Sequence, residues 1–380
     1  MKKNIIGSSM LLFFISILFT LIMQGRINEL PSQDEVSYIE STENMQYYYE
    51  QLTEEQKKIY LLLKKECFQF HSNIRFNRIP LRNVSIASYA LSRDYPSLFW
   101  TSGYTYKTVG NDLVTEMIYS IPENADKDLI AIDEVIEQIN MRMNSLSITN
   151  DYEKLKFFYD WIVENTEYEA NSNSQDMRSV FLENSSVCAG YSRAFQYLCQ
   201  KNNMECTYVS GYNKDHEKHA WNLVKLSDQY YWIDVTWGDP VYVGEKSNEI
   251  NYNYFLVDDE DFLQTHVIEN KYDMIFQYPK CTDNSLNYYR RNHSYFEKYD
   301  AKTISEYLRG KFMDNIYHEI ELKFPNKEAF DEFIYHHMQK NDAYIYDDIQ
   351  AVNPLFYGTM HVDYTILEEA NYVKINVGLE

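Results

Sequence analysis

The chain has 380 residues, of which 45% are hydrophobic and 24% are charged, a balance typical of two or three packed domains rather than of a multi-span membrane protein. Its 57 acidic residues outnumber its 35 basic residues and give a formal net charge of −22. Because so acidic a surface repels phosphate groups, we expect no nucleic-acid partner.

The first 26 residues predict a membrane anchor or a signal segment. Lys2 and Lys3 precede an uncharged, mostly apolar run over residues 5–23, which is long enough to cross a bilayer as a helix. Positive residues stay on the cytoplasmic side, so we expect the remaining chain outside the cell membrane. The run ends in a poor cleavage pattern, which favours an uncleaved single-pass anchor over a secreted form. Residues 27–45 are polar and lack periodicity, which predicts a tether.

A small N-terminal α+β region is predicted over residues 46–145. Helical spacing runs from Tyr47 to Phe70, with Thr53 as a cap. The other elements predicted here are strands over residues 98–101 and 116–120 and a helix over residues 126–143. No cluster of reactive side chains stands out in this region, which favours a structural role.

Cys188 is predicted to lie at the N-terminus of a helix. A helical pattern of apolar residues follows it, and Ser185 or Ser186 can serve as the cap. The unpaired N–H groups and the positive dipole end of a first helical turn favour a thiolate there. The other four cysteines, which lack this setting, are Cys67, Cys199, Cys206 and Cys281. Five is an odd number, so at least one thiol stays unpaired within the monomer.

A base and an orienting carboxylate are predicted on the strands that follow this helix. The alternating segments are residues 207–210, 219–224 and 230–235. If Ser227 and Asp228 form a two-residue hairpin loop, His219 and Asp234 become diagonal neighbours on one face of the sheet. A three-residue loop would place them on opposite faces.

Each of these residues also has a structural explanation. Cys188 can be an inert buried thiol, His219 a packed core histidine and Asp234 an acceptor that the fold requires. Their joint occurrence favours catalysis, because a carboxylate in the apolar run 231–235 is costly to bury without a partner. Nucleophile, base and orienting group together form a triad.

These residues lie in three motifs: Val187-Cys188-Ala189-Gly190-Tyr191-Ser192, His219-Ala220-Trp221-Asn222 and Asp234-Val235-Thr236-Trp237. The motifs resemble the transglutaminase-like superfamily of papain-like cysteine enzymes, in its bacterial exported branch. The resemblance covers residues 151–266 and implies an α+β fold in which the helix bearing the Cys packs on an antiparallel sheet bearing His and Asp.

Around that core we assign residues 146–282 to the transglutaminase-like domain. Residues 283–380 form a C-terminal α+β region of unknown role, with helices expected near Ser305 and Ala329. Two features depart from the family pattern: Ala189 stands where an acidic residue is frequent, and residues 184–186 lack the usual glycine. Both departures leave the triad intact.

The resemblance implies acyl transfer on amide bonds. Cys188 attacks the carbonyl, His219 forms an ion pair with the thiolate and protonates the leaving amine, and Asp234 orients the imidazole. The Cys188 N–H and the Tyr168 hydroxyl are the candidate donors to the oxyanion. The function expected is that of an extracytoplasmic protease, amidase or protein cross-linking enzyme with a peptide or protein substrate at the cell surface.

Other readings stay open or are set aside. A non-catalytic surface module that retains the fold and binds a partner is the main alternative, and a chaperone or assembly scaffold is a weaker one. No cofactor and no metal are expected. Residues 216–219 lack the helical spacing of a zinc site, and residues 258–261 lack the alternating oxygen ligands of a calcium loop.

Overall fold

A computed structural model describes residues 27–44, 46–239, 241–242, 245–246, 250–268, 276–314, 319–340, 343–352 and 360–379. The predicted anchor, residues 1–26, lies outside the described residues. Within the described ranges, no helix combines the length and the apolar character needed to span a membrane. These ranges fall into two compact units: the first takes the residues up to Val135 with 276–277, and the second takes those from Ile136 to 268 and from Tyr278 onward.

The first unit combines helices with a three-stranded antiparallel sheet in the order β1-β3-β2. Its elements are α1 (Gln33–Thr42), α2 (Glu54–Phe68), β1 (Asn73–Pro80), α3 (Leu81–Asp94), β2 (Tyr104–Val109), β3 (Leu113–Tyr119) and the start of α4 (Ala125–Ser145), with short 3-10 helices at Tyr49–Gln51 and Phe99–Ser102. The helix predicted with a Thr53 cap is confirmed as α2. Its N-terminus is a capping box, in which Thr53 and Gln56 each accept a hydrogen bond from the other's backbone N–H.

Two segments of this unit differ in secondary structure from the sequence prediction. Residues 33–42, for which no periodic element was predicted, form α1, because Ser32 and Glu35 build a capping box and Val36 is buried. The strand predicted over residues 98–101 is a 3-10 helix over Phe99–Ser102. The side chains of residues 98–101 are all buried, so the period-2 alternation of a half-buried strand is absent here.

The second unit begins with an α+β arrangement around a five-stranded antiparallel sheet in the order β11-β8-β7-β6-β12. Its helices are α5 (Asp151–Asn165), α6 (Arg178–Phe181), α7 (Cys188–Lys201) and α8 (Asp259–Phe262). Its strands are β4 (Glu167–Tyr168), β5 (Ser185–Ser186), β6 (Cys206–Asn213), β7 (Lys218–Leu226), β8 (Gln229–Ile233), β9 (Val241–Tyr242), β10 (Glu245–Lys246), β11 (Phe255–Val257) and β12 (His266–Ile268).

Helix α7 packs on strands β6 and β7 of this sheet. Tyr191, Ala194, Phe195 and Leu198, which recur at helical spacing, are each fully buried. Each large apolar side chain removed from water contributes roughly 1.5–3 kcal/mol, so this stripe anchors the helix to the sheet. The predicted fold class, a helix that carries the cysteine packed on an antiparallel sheet, is confirmed.

The C-terminal part of the second unit has its own hydrophobic cluster and a three-stranded antiparallel sheet in the order β13-β15-β14. Its elements are α9 (Tyr288–Arg291), α10 (Ala301–Asp314), β13 (Glu319–Lys323), α11 (Lys327–Phe333), a π-helix (Ile334–Gln339), α12 (Tyr344–Val352), β14 (Met360–Leu367), a 3-10 helix (Glu368–Ala370) and β15 (Tyr372–Leu379). The helices predicted near Ser305 and Ala329 are confirmed as α10 and α11.

Candidate active site

Cys188 is the first residue of α7, as predicted. Val187 precedes it in extended conformation, and its carbonyl accepts hydrogen bonds from the N–H groups of Gly190 (3.0 Å) and Tyr191 (3.1 Å). The serine cap predicted for this helix is wrong, since no side chain in the described part of the protein caps it. The Ser186 hydroxyl instead forms a 2.6 Å hydrogen bond with Ser179.

Gly190 allows this first turn to pack closely on its surroundings. A Cβ atom there would lie 2.0 Å from the Ser186 hydroxyl oxygen, 2.6 Å from that of Ser179 and 2.9 Å from the Asp176 carbonyl oxygen. Just before β5, Asn184 has a φ of 53°, in the left-handed region that glycine adopts most easily. Asparagine tolerates this region, so the turn keeps its shape without the family's usual glycine.

The hairpin of β7 and β8 brings the predicted base and carboxylate together. Leu226 pairs with Gln229, and both loop residues, Ser227 (φ 52°) and Asp228 (φ 63°), have the positive φ of a two-residue type I′ turn. The predicted register is therefore confirmed. It places His219 on β7 within hydrogen-bond reach of Asp234, which follows β8.

Asp234 is fully buried and accepts four hydrogen bonds. Its Oδ1 accepts from the backbone N–H groups of Thr236 (2.9 Å) and Trp237 (3.2 Å). Its Oδ2 accepts from Nε2 of His219 (2.6 Å) and from Nε2 of His266 (3.1 Å). Burial alone raises the pKa of Asp234, but His219 and His266 outweigh it and hold that pKa well below its ordinary value. The group is therefore an ionised carboxylate.

His219 links this carboxylate to the cysteine. Burial lowers its pKa, but the charge and hydrogen bond of Asp234, followed by a hydrogen bond with the Cys188 side chain, raise the pKa to about 10. Because Nε2 is bonded to Asp234, Nδ1 is the nitrogen left for the thiol. Cys188 is half-buried, whereas the other four cysteines are buried and unpaired. The structure thus brings all three predicted residues together.

Tyr168 and Trp237 flank the cysteine and the imidazole. Tyr168 lies on β4 beside Ser186 of β5; burial raises the pKa of its hydroxyl, and the neighbouring Cys188 backbone N–H acts in the opposite direction. The two groups expected to bind an oxyanion are therefore neighbours. The Trp237 ring stacks on His219, with 5.3 Å between ring centroids and 29° between planes.

His266 is the site residue that sequence reasoning missed. It lies 32 residues beyond Asp234 and reaches the site because β12 pairs with β6. Among the described residues, His219, Asp234 and His266 form a group whose ligand atoms lie within 4.8 Å of one another. However, the His219 Nε2 and Asp234 Oδ2 atoms are 2.6 Å apart, closer than the roughly 3.3 Å expected of two ligands at tetrahedral zinc distances. The group is built as a hydrogen-bond network.

A thiol at a helix start, an imidazole and a buried carboxylate on an adjoining antiparallel sheet define a class of cysteine enzyme folds. Residues 141–237 match the family model of the transglutaminase-like superfamily, and all three side chains fall within that match. The chain therefore contains a transglutaminase-like superfamily domain, with the α+β fold that its sequence predicts.

Similar proteins match part of the chain. Kyphoscoliosis peptidase of Mus musculus is 27% identical over 143 residues, which are 32% of this chain and 22% of that protein. Kyphoscoliosis peptidase of Homo sapiens is 25% identical over 161 residues, 37% of this chain and 23% of that protein. This chain thus spans less than a quarter of the length of these relatives. A crystal structure of a TGase aligns with a TM-score of 0.27 and 16% identity, over 38% of this chain and 45% of that one.

Proposed function

We propose that this protein is a cysteine enzyme that performs acyl transfer on peptide or protein amide bonds. The observation that carries the proposal is the 2.6 Å hydrogen bond between His219 and the buried Asp234, together with the Cys188 side chain, whose interaction with His219 helps to raise the pKa of that imidazole. Nucleophile, base and orienting group in contact are the signature of nucleophilic catalysis. The buried setting strengthens their mutual interactions, because the local dielectric is low.

In the first half-reaction the Cys188 thiolate attacks the substrate carbonyl carbon and a C–S bond forms. The carbonyl oxygen becomes an oxyanion, which the Cys188 N–H and the Tyr168 hydroxyl stabilise. The imidazolium of His219 then gives its Nδ1 proton to the leaving amine as the C–N bond breaks. Asp234 keeps the Nε2 proton in place throughout, so the imidazole retains the tautomer that the reaction needs.

In the second half-reaction water or an amine attacks the thioester carbon. His219 takes the attacking group's proton on Nδ1, and the C–S bond breaks to return the thiolate. Water gives hydrolysis, and an amine gives transamidation. The two curated relatives are named peptidases, which supports hydrolysis as the first activity to assay. Incorporation of a fluorescent amine into protein substrates is the parallel assay for cross-linking.

We place this activity outside the cell membrane, in the bacterial exported branch of the superfamily. The support is the apolar run over residues 5–23 behind Lys2 and Lys3, which favours a single N-terminal anchor. Adding a protease to intact cells that express the protein tests the placement. Loss of the full-length band supports it, and full protection until the cells are lysed contradicts it.

Cys188 reactivity tests the chemistry before a substrate is known. The full chain is treated with iodoacetamide from pH 5 to 9, and alkylation is followed for each cysteine-containing peptide by mass spectrometry. The four buried cysteines serve as internal references. We expect Cys188 to react rapidly at pH 6, because the imidazolium of His219 stabilises the thiolate.

Matched histidine variants show where that reactivity comes from. His219→Asn removes the partner of Cys188, whereas His216→Asn alters an exposed histidine in the loop before the same strand. The proposal expects reactivity at pH 6 to be lost in the first variant and kept in the second. Ordinary thiol behaviour in the unaltered protein would overturn the enzyme function and favour a binding module that merely retains the fold.

A further inference from the structure

The second imidazole on Asp234 has no part in the reaction steps above. Resting on the proposed function, we propose that His266 is a positioning residue, which clamps Oδ2 of Asp234 in the place where the His219 imidazole needs it. Backbone N–H groups already hold Oδ1, at Thr236 and Trp237. His266 supplies the matching donor to the other oxygen, so the carboxylate is held at both ends.

The hydrogen-bond pattern determines the tautomers of both histidines. An ionised carboxylate only accepts hydrogen bonds, so His219 and His266 must each carry a proton on Nε2. For His266, this leaves Nδ1 to accept from the Thr265 hydroxyl at 2.9 Å, the shorter of its two polar contacts; the Phe262 carbonyl oxygen lies 3.3 Å from the same nitrogen. For His219, it leaves Nδ1 to exchange a proton with Cys188. The Asp234 carboxylate thus selects the His219 tautomer with its proton on Nε2, and His266 positions that carboxylate.

Aromatic packing holds His266 in this orientation. Its ring stacks on that of Phe262, with 3.8 Å between ring centroids and 14° between planes. The centroids of the Trp221 and Trp237 rings lie 5.0 Å and 4.6 Å from that of His266. Its side chain is fully buried. Because no water replaces a lost partner in so apolar a setting, the bond from Nε2 to Asp234 is expected to matter more than an exposed one.

Burial also keeps His266 uncharged, since it lowers the pKa of His266 more than Asp234 raises it. The negative charge of Asp234 is therefore paired with a single imidazolium, that of His219. A second charged imidazole would compete for the same oxygen, whereas a neutral N–H donor fixes the oxygen and leaves the charge to His219.

Two substitutions in the full chain separate positioning from packing. His266→Phe keeps an aromatic ring against Phe262 and removes the donor, and His266→Gln keeps an N–H donor near the position of Nε2. We expect His266→Phe to lower the rate of Cys188 alkylation at pH 6 by about tenfold or more, the loss typical of one hydrogen bond to a charged group. His266→Gln should restore most of that rate.

A buried histidine elsewhere serves as the control. His337 is fully buried and stacks on Phe333 in the C-terminal part, so His337→Phe makes the same chemical change away from the triad. It should leave the alkylation rate at the wild-type value. Wild-type labelling in His266→Phe, or a His266→Gln rate no better than that of His266→Phe, overturns the positioning role.

The labelling rates distinguish a wrong role for His266 from a wrong enzyme function. If unaltered Cys188 labels no faster than Cys188 in His219→Asn, the proposed function fails and the inference fails with it. If Cys188 labels faster in the unaltered protein than in His219→Asn, and His266→Phe labels at the unaltered rate, only the positioning role of His266 fails. Should His266→Phe not fold, NMR of ¹⁵N-histidine-labelled wild-type protein decides: the Nε2–H tautomer of neutral His266 is expected, and an Nδ1–H tautomer contradicts the proposal.

Discussion

Asn222 donates a hydrogen bond from its side-chain Nδ2 to the backbone carbonyl oxygen of Ser192, at 3.0 Å. Asn222 lies on β7, three residues after His219, and Ser192 lies on α7, one turn after Cys188. The bond is fully buried and joins the strand that carries His219 to the helix that carries Cys188. It therefore helps to hold these two elements at their separation.

Replacing Asn222 by Ala is expected to slow Cys188 alkylation at pH 6 and to lower the thermal unfolding midpoint. The Ser192 carbonyl, which lies inside α7, loses its side-chain donor, at a net cost of roughly 0.5–1.5 kcal/mol. Iodoacetamide labelling and differential scanning calorimetry measure the two effects. Lys218→Ala, at an exposed position of the same strand, should change neither. A stability loss without any change in labelling would show that the bond does not position the site.

Gly190→Ala is expected to destabilise the domain by about 1–3 kcal/mol, because the added methyl group overlaps the Ser186 hydroxyl and overpacks the first turn of α7. Gly310→Ala is the matched control, for which the expected change in the free energy of unfolding has the opposite sign. Gly310 lies within α10 with nothing within 4 Å of its added Cβ, so alanine should stabilise that helix by up to about 1 kcal/mol. Thermal unfolding of both variants measures the contrast, and equal shifts would contradict it.

Tyr168→Phe is expected to slow acylation of Cys188 by p-nitrophenyl acetate about 10²-fold and to leave alkylation by iodoacetamide unchanged. Acylation creates an oxyanion beside the hydroxyl, whereas displacement of iodide creates none. Stopped-flow release of nitrophenolate and peptide-resolved labelling measure the two rates. Tyr364→Phe, at an exposed tyrosine of β14, should alter neither rate. A parallel fall in both reactions would instead show that Tyr168 supports the thiolate.

The protonation of His219 should make the free energy of unfolding fall as the pH rises into the alkaline range. Its pKa rises from the ordinary 6.5 to about 10 in the folded protein. The folded state therefore holds a proton that the unfolded state has released between these values, so the stabilisation is complete below about pH 6.5 and is lost as the pH rises through 10. Unfolding midpoints of wild type and His219→Asn should converge near pH 10, while His216→Asn follows wild type. Parallel curves up to pH 10 would contradict the ion pair.

Residues close together in the chain account for the predictions that held. The two-residue turn at Ser227 and Asp228 is one of the two loop lengths that the alternating segments allowed, and it places His219 on the face of Asp234. The position of Cys188 at a helix start follows from the apolar stripe behind it. Such features depend on periods of 2 and 3.6 residues and on short turns, which are local properties of a sequence.

Long-range packing selects the remaining residues of the site. His266 enters it because β12 pairs with β6, an association of distant segments that no periodicity reports. The Ser186 hydroxyl does not cap α7 but bonds to Ser179 beside Gly190, where close packing leaves no space for a side chain. Local sequence patterns were sufficient to predict Cys188, His219 and Asp234 as candidates and to name the two-residue loop that brings the last two together. The structure determined what surrounds Asp234, because long-range packing alone selects the partners of a buried charge.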